Sequence, residues 1–476
     1  MVASRFEAVP PVSAASTGRL RFRQLLPFAV ERALYVLLMG LLISIFTIGL
    51  GAVDPQNTWH QWTSDLVMRA FSGMELEQGE RLRFVHVALE EPLCKPGVAM
   101  DVHACEPKSP GLIKKLAAKL NMAMSAHAKA IVIDLYVPPP STADDIPTRA
   151  AKEELRDAVA SAGVPVFIMR ATRRKFGSSD YEWVPSVFDP IKKDPVRFGH
   201  VIWNPDRDGV VRRSMPSIQV SSDSRNDSKP QDLCGLSLLV AQFFTTREGV
   251  GCQSDGVFLF DLTERTPWWI SLMRLDARTD GFSVLERVSL SQIEKPDAEG
   301  LKIFGGAIVV FGSSGLSGDS YNSPLDALSG AELIVNHVHA LVNLPPLKLP
   351  SVLQRFTHEA QIVGIATIAV FAFWIHTLMR INRSTSDESA QHRLALSQRK
   401  YRPSPLQYLC SALILGAVML LLAICEVRGA GISMQHGILV EPFAPLSGFF
   451  VEVALYVIDS AVQLVHRASV ALSKLI

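Results

Sequence analysis

The sequence lacks the usual signatures of catalysis. It has no GxxxxGK[ST] phosphate loop and no GxSxG nucleophile elbow, and no CxxC or Cys/His cluster stands at zinc-ligand spacing. No Ser/His/Asp set can be read either, so no catalytic residue, metal or cofactor is expected. Charge imbalance is also missing. With 47 Lys and Arg against 46 Asp and Glu, the formal net charge is +1, and a nucleic-acid partner would want a concentrated basic face. No repeat of solenoid length is visible. Cysteine is sparse, at 6 residues.

Charge is absent in one place with a definite meaning. Ala33 to Val53 runs 21 residues without a charged side chain. At about 1.5 Å per residue, a helix of that length covers roughly the 30 Å of a bilayer's hydrocarbon core. A cleaved signal peptide is the alternative, but its apolar region is usually about 7 to 15 residues long, and this run is longer and follows a 32-residue leader. Further apolar runs begin near Gln361, at Leu406 and at His436, the last carrying Glu441, Pro442, Pro445 and Glu452. Basic residues orient these spans, because Lys and Arg near short loops stay in the cytoplasm. Arg5, Arg19, Arg21, Arg23 and Arg32 precede the first run, whereas Arg69 stands alone just after it. Arg380, Arg383, Arg393, Arg399, Lys400 and Arg402 lie between the second and third.

The expected organisation is a cytoplasmic segment 1–32, a span 33–53, an external domain 54–357, a span 358–380, a cytoplasmic loop 381–405, spans 406–427 and 436–459, and a tail 460–476. This places the chain in a membrane with both termini inside and its large domain outside. Glu441 and Glu452 within the last span raise the thought of an ion path, since ionisable residues in a bilayer usually face a bundle interior. Cys94, Cys105, Cys234 and Cys252 all fall in the external domain, where an oxidising compartment allows disulfides. Neighbourhood suggests Cys94 with Cys105 and Cys234 with Cys252, although four cysteines permit three pairings.

Within the external domain, short apolar runs alternate with amphipathic helical patterns. Phe84–Leu89, Ala130–Val137 and Val164–Met169 read as strands, and Leu112–His127 and Arg149–Ala162 as helices between them. Such alternation implies βαβ crossovers and a largely parallel sheet. Phe198–Trp203 and Val210–Val220 flank the turn-rich Asn204-Pro205-Asp206-Arg207-Asp208-Gly209 and predict an inserted hairpin. A helix is expected over Leu236–Thr245 and a strand over Val257–Leu262. Lys302–Gly312 contains a buried strand, the IVVF of Ile308–Phe311, followed by a loop over Gly312–Asp319 and a helix over Ala331–Asn343. The fold class is α/β: a mixed, largely parallel sheet with an inserted hairpin, plus four transmembrane α-helices.

Four residues are candidates for ligand contact. In open parallel sheets ligands settle beyond the carboxyl ends of strands, which singles out Ser313, Ser314 and Asp319 in the Gly312–Asp319 loop; a tight structural connection is the competing reading. Asp134 stands in a very apolar strand, where an unpaired carboxylate is costly. It either lines a pocket with Asp319 or caps a turn at the strand end. Other motifs are set aside. Asn204-x-Asp206-x-Asp208-Gly209 imitates a calcium loop, but Met215 stands where the bidentate Glu belongs. His337 and His339, two apart on a helix, point roughly 200° from each other and cannot share a metal. Arg212 and Arg213 face opposite sides of a strand and make no joint anion clamp.

The stretch FGHVIWNPDRDGVVRRSMP, with AIVVFGSSGLSGDSYNSPLDALSGAELIVNHVHALVN about a hundred residues later, resembles the extracytoplasmic CHASE domain of type 2, a sensory module of bacterial receptors. The order of one helix, a domain and a group of C-terminal membrane helices is similar as well. After the first strand, where that family usually has a Trp/Pro-rich stretch, this chain has Glu90-Glu91-Pro92-Leu93-Cys94. The resemblance implies a receptor in a bacterial inner membrane, its large domain in the periplasm or outside, that binds an extracytoplasmic ligand or partner. Its output would pass through a separate protein or the 381–405 loop, because the segment after the last span is too short for a catalytic domain. A docking subunit of an envelope complex and a four-helix transporter are the other classes considered. Self-association into a homo-oligomer stays open.

Overall fold

The computed structural model describes residues 82–89, 109–174, 181–191, 195–221, 231–245, 268–269, 284–291, 298–314, 319–343 and 352–384, with interrupted runs within 30–46, 65–69 and 417–433. The chain forms two compact units. One comprises Met1–Thr63, Pro350–Ala430 and Val440–Ile476; the other comprises Ser64–Leu349 and Gly431–Leu439.

Six parallel strands organise the second unit: β1 (Phe84–Leu89), β2 (Ala130–Ile133), β3 (Val166–Met169), β6 (Val196–Gly199), β12 (Leu285–Ser289) and β13 (Ile308–Ser313). Their order across the sheet is β12-β1-β13-β2-β3-β6. Parallel strands need crossovers, and those crossovers cover both faces with helices. Accordingly β1, β2 and β13 are apolar on both sides. Val85, Val87, Ile131, Ile133, Val309 and Phe311 pack with helices α1 (Pro110–Ser125), α2 (Ile146–Ala160) and α4 (Ala298–Phe304). Phe84, Ala130, Val132, Ile308 and Val310 pack on the other face with α3 (Leu236–Phe244) and α5 (Gly330–Asn343).

Local chemistry sets the helix starts. Ser109 caps α1 by accepting from the Leu112 amide at 3.0 Å, and Asp145 caps α2 by accepting from Thr148 at 2.7 Å; each satisfies an amide that has no partner within its helix. Pro110 and Pro147 occupy first-turn positions where no amide is needed.

Smaller sheets flank this layer. β4 (Thr172–Arg174), β5 (Tyr181–Trp183), β9 (Ser217–Ser221) and β10 (Gln231–Cys234) form one sheet, and β7 (Trp203–Pro205), β8 (Val211–Ser214) and β11 (Trp268–Trp269) another. The hairpin β14 (Ser320–Asn322) with β15 (Ala327–Ser329) precedes α5. The predicted hairpin exists between β7 and β8, but its arms are shorter than expected. Phe198 belongs to β6 of the main sheet, and the Val210–Val220 run breaks at Met215-Pro216, since proline has no amide to continue a ladder. The buried strand expected within Lys302–Gly312 is found at the IVVF run, in β13, while Lys302 to Phe304 close α4. Val257–Leu262 lies outside the described residues.

In the other unit, α6 (Val352–Ser384) is 33 residues long and contains the expected span 358–380. Among the described residues no helix is long and apolar enough to cross a membrane. The expected span 33–53 is described only at residues 33, 34 and 36–46, 406–427 lies largely outside the described residues, and 436–459 lies wholly outside them. Cys94, Cys105 and Cys252 lie outside them too; Cys234 is disulfide-bonded.

Candidate functional site

The strand ends converge at the start of α5. Asp134 follows β2 directly, and its amide donates to the Phe311 carbonyl at 2.8 Å, continuing the pairing with β13. The two-residue alternation that buries Ala130 and Val132 against α3 and α5 places Asp134 on that same face. Gly312 stands beside it. A Cβ on Gly312 would lie 2.5 Å from the Ala331 Cβ, and one on Gly330 would lie 2.7 Å from Asp319 Oδ2. Two positions without side chains thus let the helix start and the Asp319 carboxylate approach the sheet.

Asp134 and Asp319 are brought together here. Burial first, and then the charge of Asp319, raise the Asp134 carboxyl well above the usual carboxylate range. Burial also raises Asp319, while hydrogen bonds from the Tyr321 hydroxyl and the Gly330 amide oppose that rise. Burial, with the charges of both carboxylates, pushes the Tyr321 phenol above its ordinary value. Two carboxyls in one enclosed place do not both ionise readily, so the pair titrates as a unit. Such a group can hold a proton, or accept a cation or a cluster of hydrogen-bond donors in its place.

Ser313 and Ser314 do something different. The same alternation turns Ser313 to the opposite face from Asp134, and its hydroxyl donates to the Ser314 carbonyl at 3.0 Å. The Ser314 amide donates to the Leu89 carbonyl at 3.1 Å, extending the pairing of β1 and β13. Residues 315–318 of the loop lie outside the described residues.

A second cluster borders the acidic pair. Ser329 and Glu332 form a capping box at the start of α5: the Ser329 amide donates to Glu332 Oε2 at 2.9 Å, and the Glu332 amide to Ser329 Oγ at 3.2 Å. Against the burial that would raise it, the Ser329 amide and Arg287 hold the Glu332 carboxyl below its usual range. His86 on β1 is buried next to this carboxylate, and burial lowers its imidazole pKa.

Sequence reasoning set Arg212 aside and missed its role. This guanidinium is 1% exposed, and it reaches Asp206 at 3.0 Å, Asp208 at 2.8 and 3.0 Å and Asp65 at 2.6 and 2.8 Å. The carboxylates of the calcium-like turn therefore serve a buried arginine. Its hydrogen bond to Asp208 holds that carboxyl below the usual range. The available signal was an Arg four and six residues beyond two Asp across a tight turn, which closes with Gly209 at φ +77°. Among the described residues, no group of three or more His, Cys, Asp or Glu could hold a metal ion.

Neither curated proteins nor solved structures give a match to the chain. The model of the CHASE2 domain matches residues 38–375, which contains both long motifs, the six-stranded sheet and the acidic pair. The chain belongs to the CHASE2 domain family, a family of extracytoplasmic sensory domains.

Proposed function

We propose that this chain is a membrane-anchored receptor whose ligand is taken up at the carboxyl end of the six-stranded sheet, against Asp134 and Asp319. The observation that carries the reading is the pair itself. Two interacting carboxyls, each half-buried beneath a helix start, are costly to desolvate, and perturbed groups of this kind cluster at functional sites. The pair favours a ligand that brings positive charge or several hydrogen-bond donors. Ser313 and Ser314 brace the strand end that carries the loop to Asp319. Family membership supports a sensory role and an extracytoplasmic domain.

The arginine distribution supports the rest of the reading. Spans at 33–53, 358–380, 406–427 and 436–459 anchor the domain in the inner membrane, and the 381–405 loop presents the signal to a separate protein. Disulfides between Cys94 and Cys105 and between Cys234 and Cys252 complete the proposed external domain.

The test is thermal unfolding of the full chain in lipid nanodiscs against a panel of small amines and polyols. Compounds that raise the melting temperature of the wild type are expected to leave Asp134→Asn and Asp319→Asn unmoved. Equal stabilisation of all three proteins would place binding elsewhere and remove the acidic pair from the reading.

A further inference from the structure

The residues that follow the first apolar run in sequence are fastened to the domain by long-range contacts. Asp65 makes paired hydrogen bonds to Arg212 on β8, across 147 residues of sequence. Met68 is fully buried. Arg69 Nε donates to the Pro324 carbonyl at 2.6 Å, across 255 residues. With anchors at both of its ends and one between, the 65–69 segment follows whatever it grips.

Pro324 stands in the turn of the β14–β15 hairpin, and that turn is closed on itself. The Ser323 hydroxyl accepts from the Leu325 and Asp326 amides at 3.2 and 3.1 Å and donates to the Asp326 carbonyl at 2.6 Å; the Ser323 amide donates to the same carbonyl at 3.0 Å. Such a turn moves as one piece. The body of the hairpin is also tied in: Asn322 bridges Val210, and Tyr321, Leu325 and Leu328 pack on Val211 and Leu333.

The root of the hairpin is the acidic pair. β14 begins immediately after Asp319, and the Tyr321 hydroxyl donates to the Asp319 carboxylate. Three residues of strand cover roughly 10 Å, so one short element touches a carboxylate of the proposed site at its root and the 65–69 segment at its tip. A hydrogen bond to a charged acceptor is roughly twice as strong as one between neutral groups. The hold of Asp319 on Tyr321 is therefore strongest when its charge is free, and it weakens when a cation shares that charge.

We infer that the β14–β15 hairpin is the output element of the ligand site: engagement of Asp319 loosens its hold on Tyr321, the hairpin shifts, and Arg69 carries the shift to residues 65–69, which continue in sequence from the first apolar run. This rests on the reading that the ligand is received at Asp134 and Asp319, and it adds how occupancy leaves the site. Asp319 and Arg69 then bias one two-state element from its two ends.

The test is hydrogen exchange measured peptide by peptide on the full chain in lipid nanodiscs, with no ligand added. Asp319→Asn makes the acceptor neutral, and Tyr321→Phe removes the donor. Each should raise exchange about tenfold in peptides covering 320–329 and 65–69, as losing one hydrogen bond to a charged group does, and leave α1 unchanged. The double variant should add nothing at 65–69 beyond either single change, since both act through one hydrogen bond. Arg69→Ala should in turn raise exchange at 320–329, because coupling is reciprocal. Tyr321→Phe carries the test should Asp319→Asn fail to fold. Residues 65–69 unmoved by the single variants, residues 320–329 unmoved by Arg69→Ala, an equal rise in α1, or an additive double variant would each overturn the inference. Stabilisation by amines tests the acidic pair as a binding site and hydrogen exchange tests its link to 65–69, so the failure of one is distinguishable from the failure of the other.

Discussion

Arg212 and Asp65 are joined by two parallel hydrogen bonds, Nε to Oδ1 at 2.6 Å and the second nitrogen to Oδ2 at 2.8 Å, across 147 residues of sequence. The same guanidinium satisfies Asp206, whose carboxylate is 1% exposed. Removing one partner of such a cluster leaves buried charge without compensation, which costs about 3–5 kcal/mol. Arg212→Ala should therefore lower stability by that order in denaturant unfolding. Arg212→Lys should recover only part of the loss, because an ammonium cannot make the bidentate contact to Asp65 while reaching the other two carboxylates. A loss under about 1 kcal/mol in Arg212→Ala would show that the network contributes little.

Asp134→Asn should stabilise the domain at neutral and alkaline pH. The folded state raises the Asp134 pKa above its unfolded value of 3.8. Relative to the charged form, the stability this gives is present below the unfolded pKa and is lost as pH rises through the folded one, so the wild type carries the cost at pH 8. The gain on substitution should be roughly 1.4 kcal/mol for each unit of that shift, and it should vanish near pH 4. A stabilised protein that no longer responds to ligand is the expected mark of a carboxylate kept for binding. Destabilisation at pH 8 would instead mark Asp134 as a structural cap.

The sheet was legible because its strands are buried on both faces and read as short apolar runs: FVHVAL, AIVI and IVVF each stand within a predicted strand. Asp134 was legible for the same reason, as a lone carboxylate in an apolar strand. Its neighbour Tyr321 was not, because nothing in the local pattern of β14 shows that its hydroxyl reaches Asp319. Arg212 was hidden by distance, since the position of Asp65 depends on how the whole unit closes. The break at Met215-Pro216 was visible in principle but lost in an otherwise continuous β-branched pattern. The histidines of α5 looked like ordinary helix residues, and one of them, His337, lines a small cavity with His200, which follows β6.

Stability should fall on acidification through the range where free histidine titrates. Burial lowers the His200 and His337 pKa values from 6.5 to about 3. The unfolded chain therefore binds more protons between those limits, and stability is complete above pH 6.5 and declines as pH falls toward 3. Each group contributes a slope of up to about 1.4 kcal/mol per pH unit. Because Asp134 and Asp319 slope the other way, the comparison that isolates the effect is His337→Phe against wild type in gluconate buffer. The variant should lose one histidine's share of that slope, because burial also lowers His86, His200 and His339; an unchanged slope between pH 6.5 and 4 would show that protonated His337 is accommodated in the fold.

The membrane topology is testable by reporter fusions. Arginines cluster before Ala33 and between Arg380 and Arg402, while Arg69 is alone just beyond the first apolar run. Positive residues near short loops remain in the cytoplasm, so the segment bearing the CHASE2 sheet is expected to be translocated and 381–405 to be retained. Alkaline phosphatase folds to an active form only where its disulfides can be made, in the oxidising compartment. A fusion after Ser271 should be active, and the same fusion after Asp387 should be silent. Two further fusions sharpen the result: one in the Val427–Gly437 segment should be active, and one after Asp459 silent. Activity at Asp387 would overturn the four-span arrangement, and with it the route by which a ligand at Asp134 and Asp319 could reach a cytoplasmic partner through the 381–405 loop.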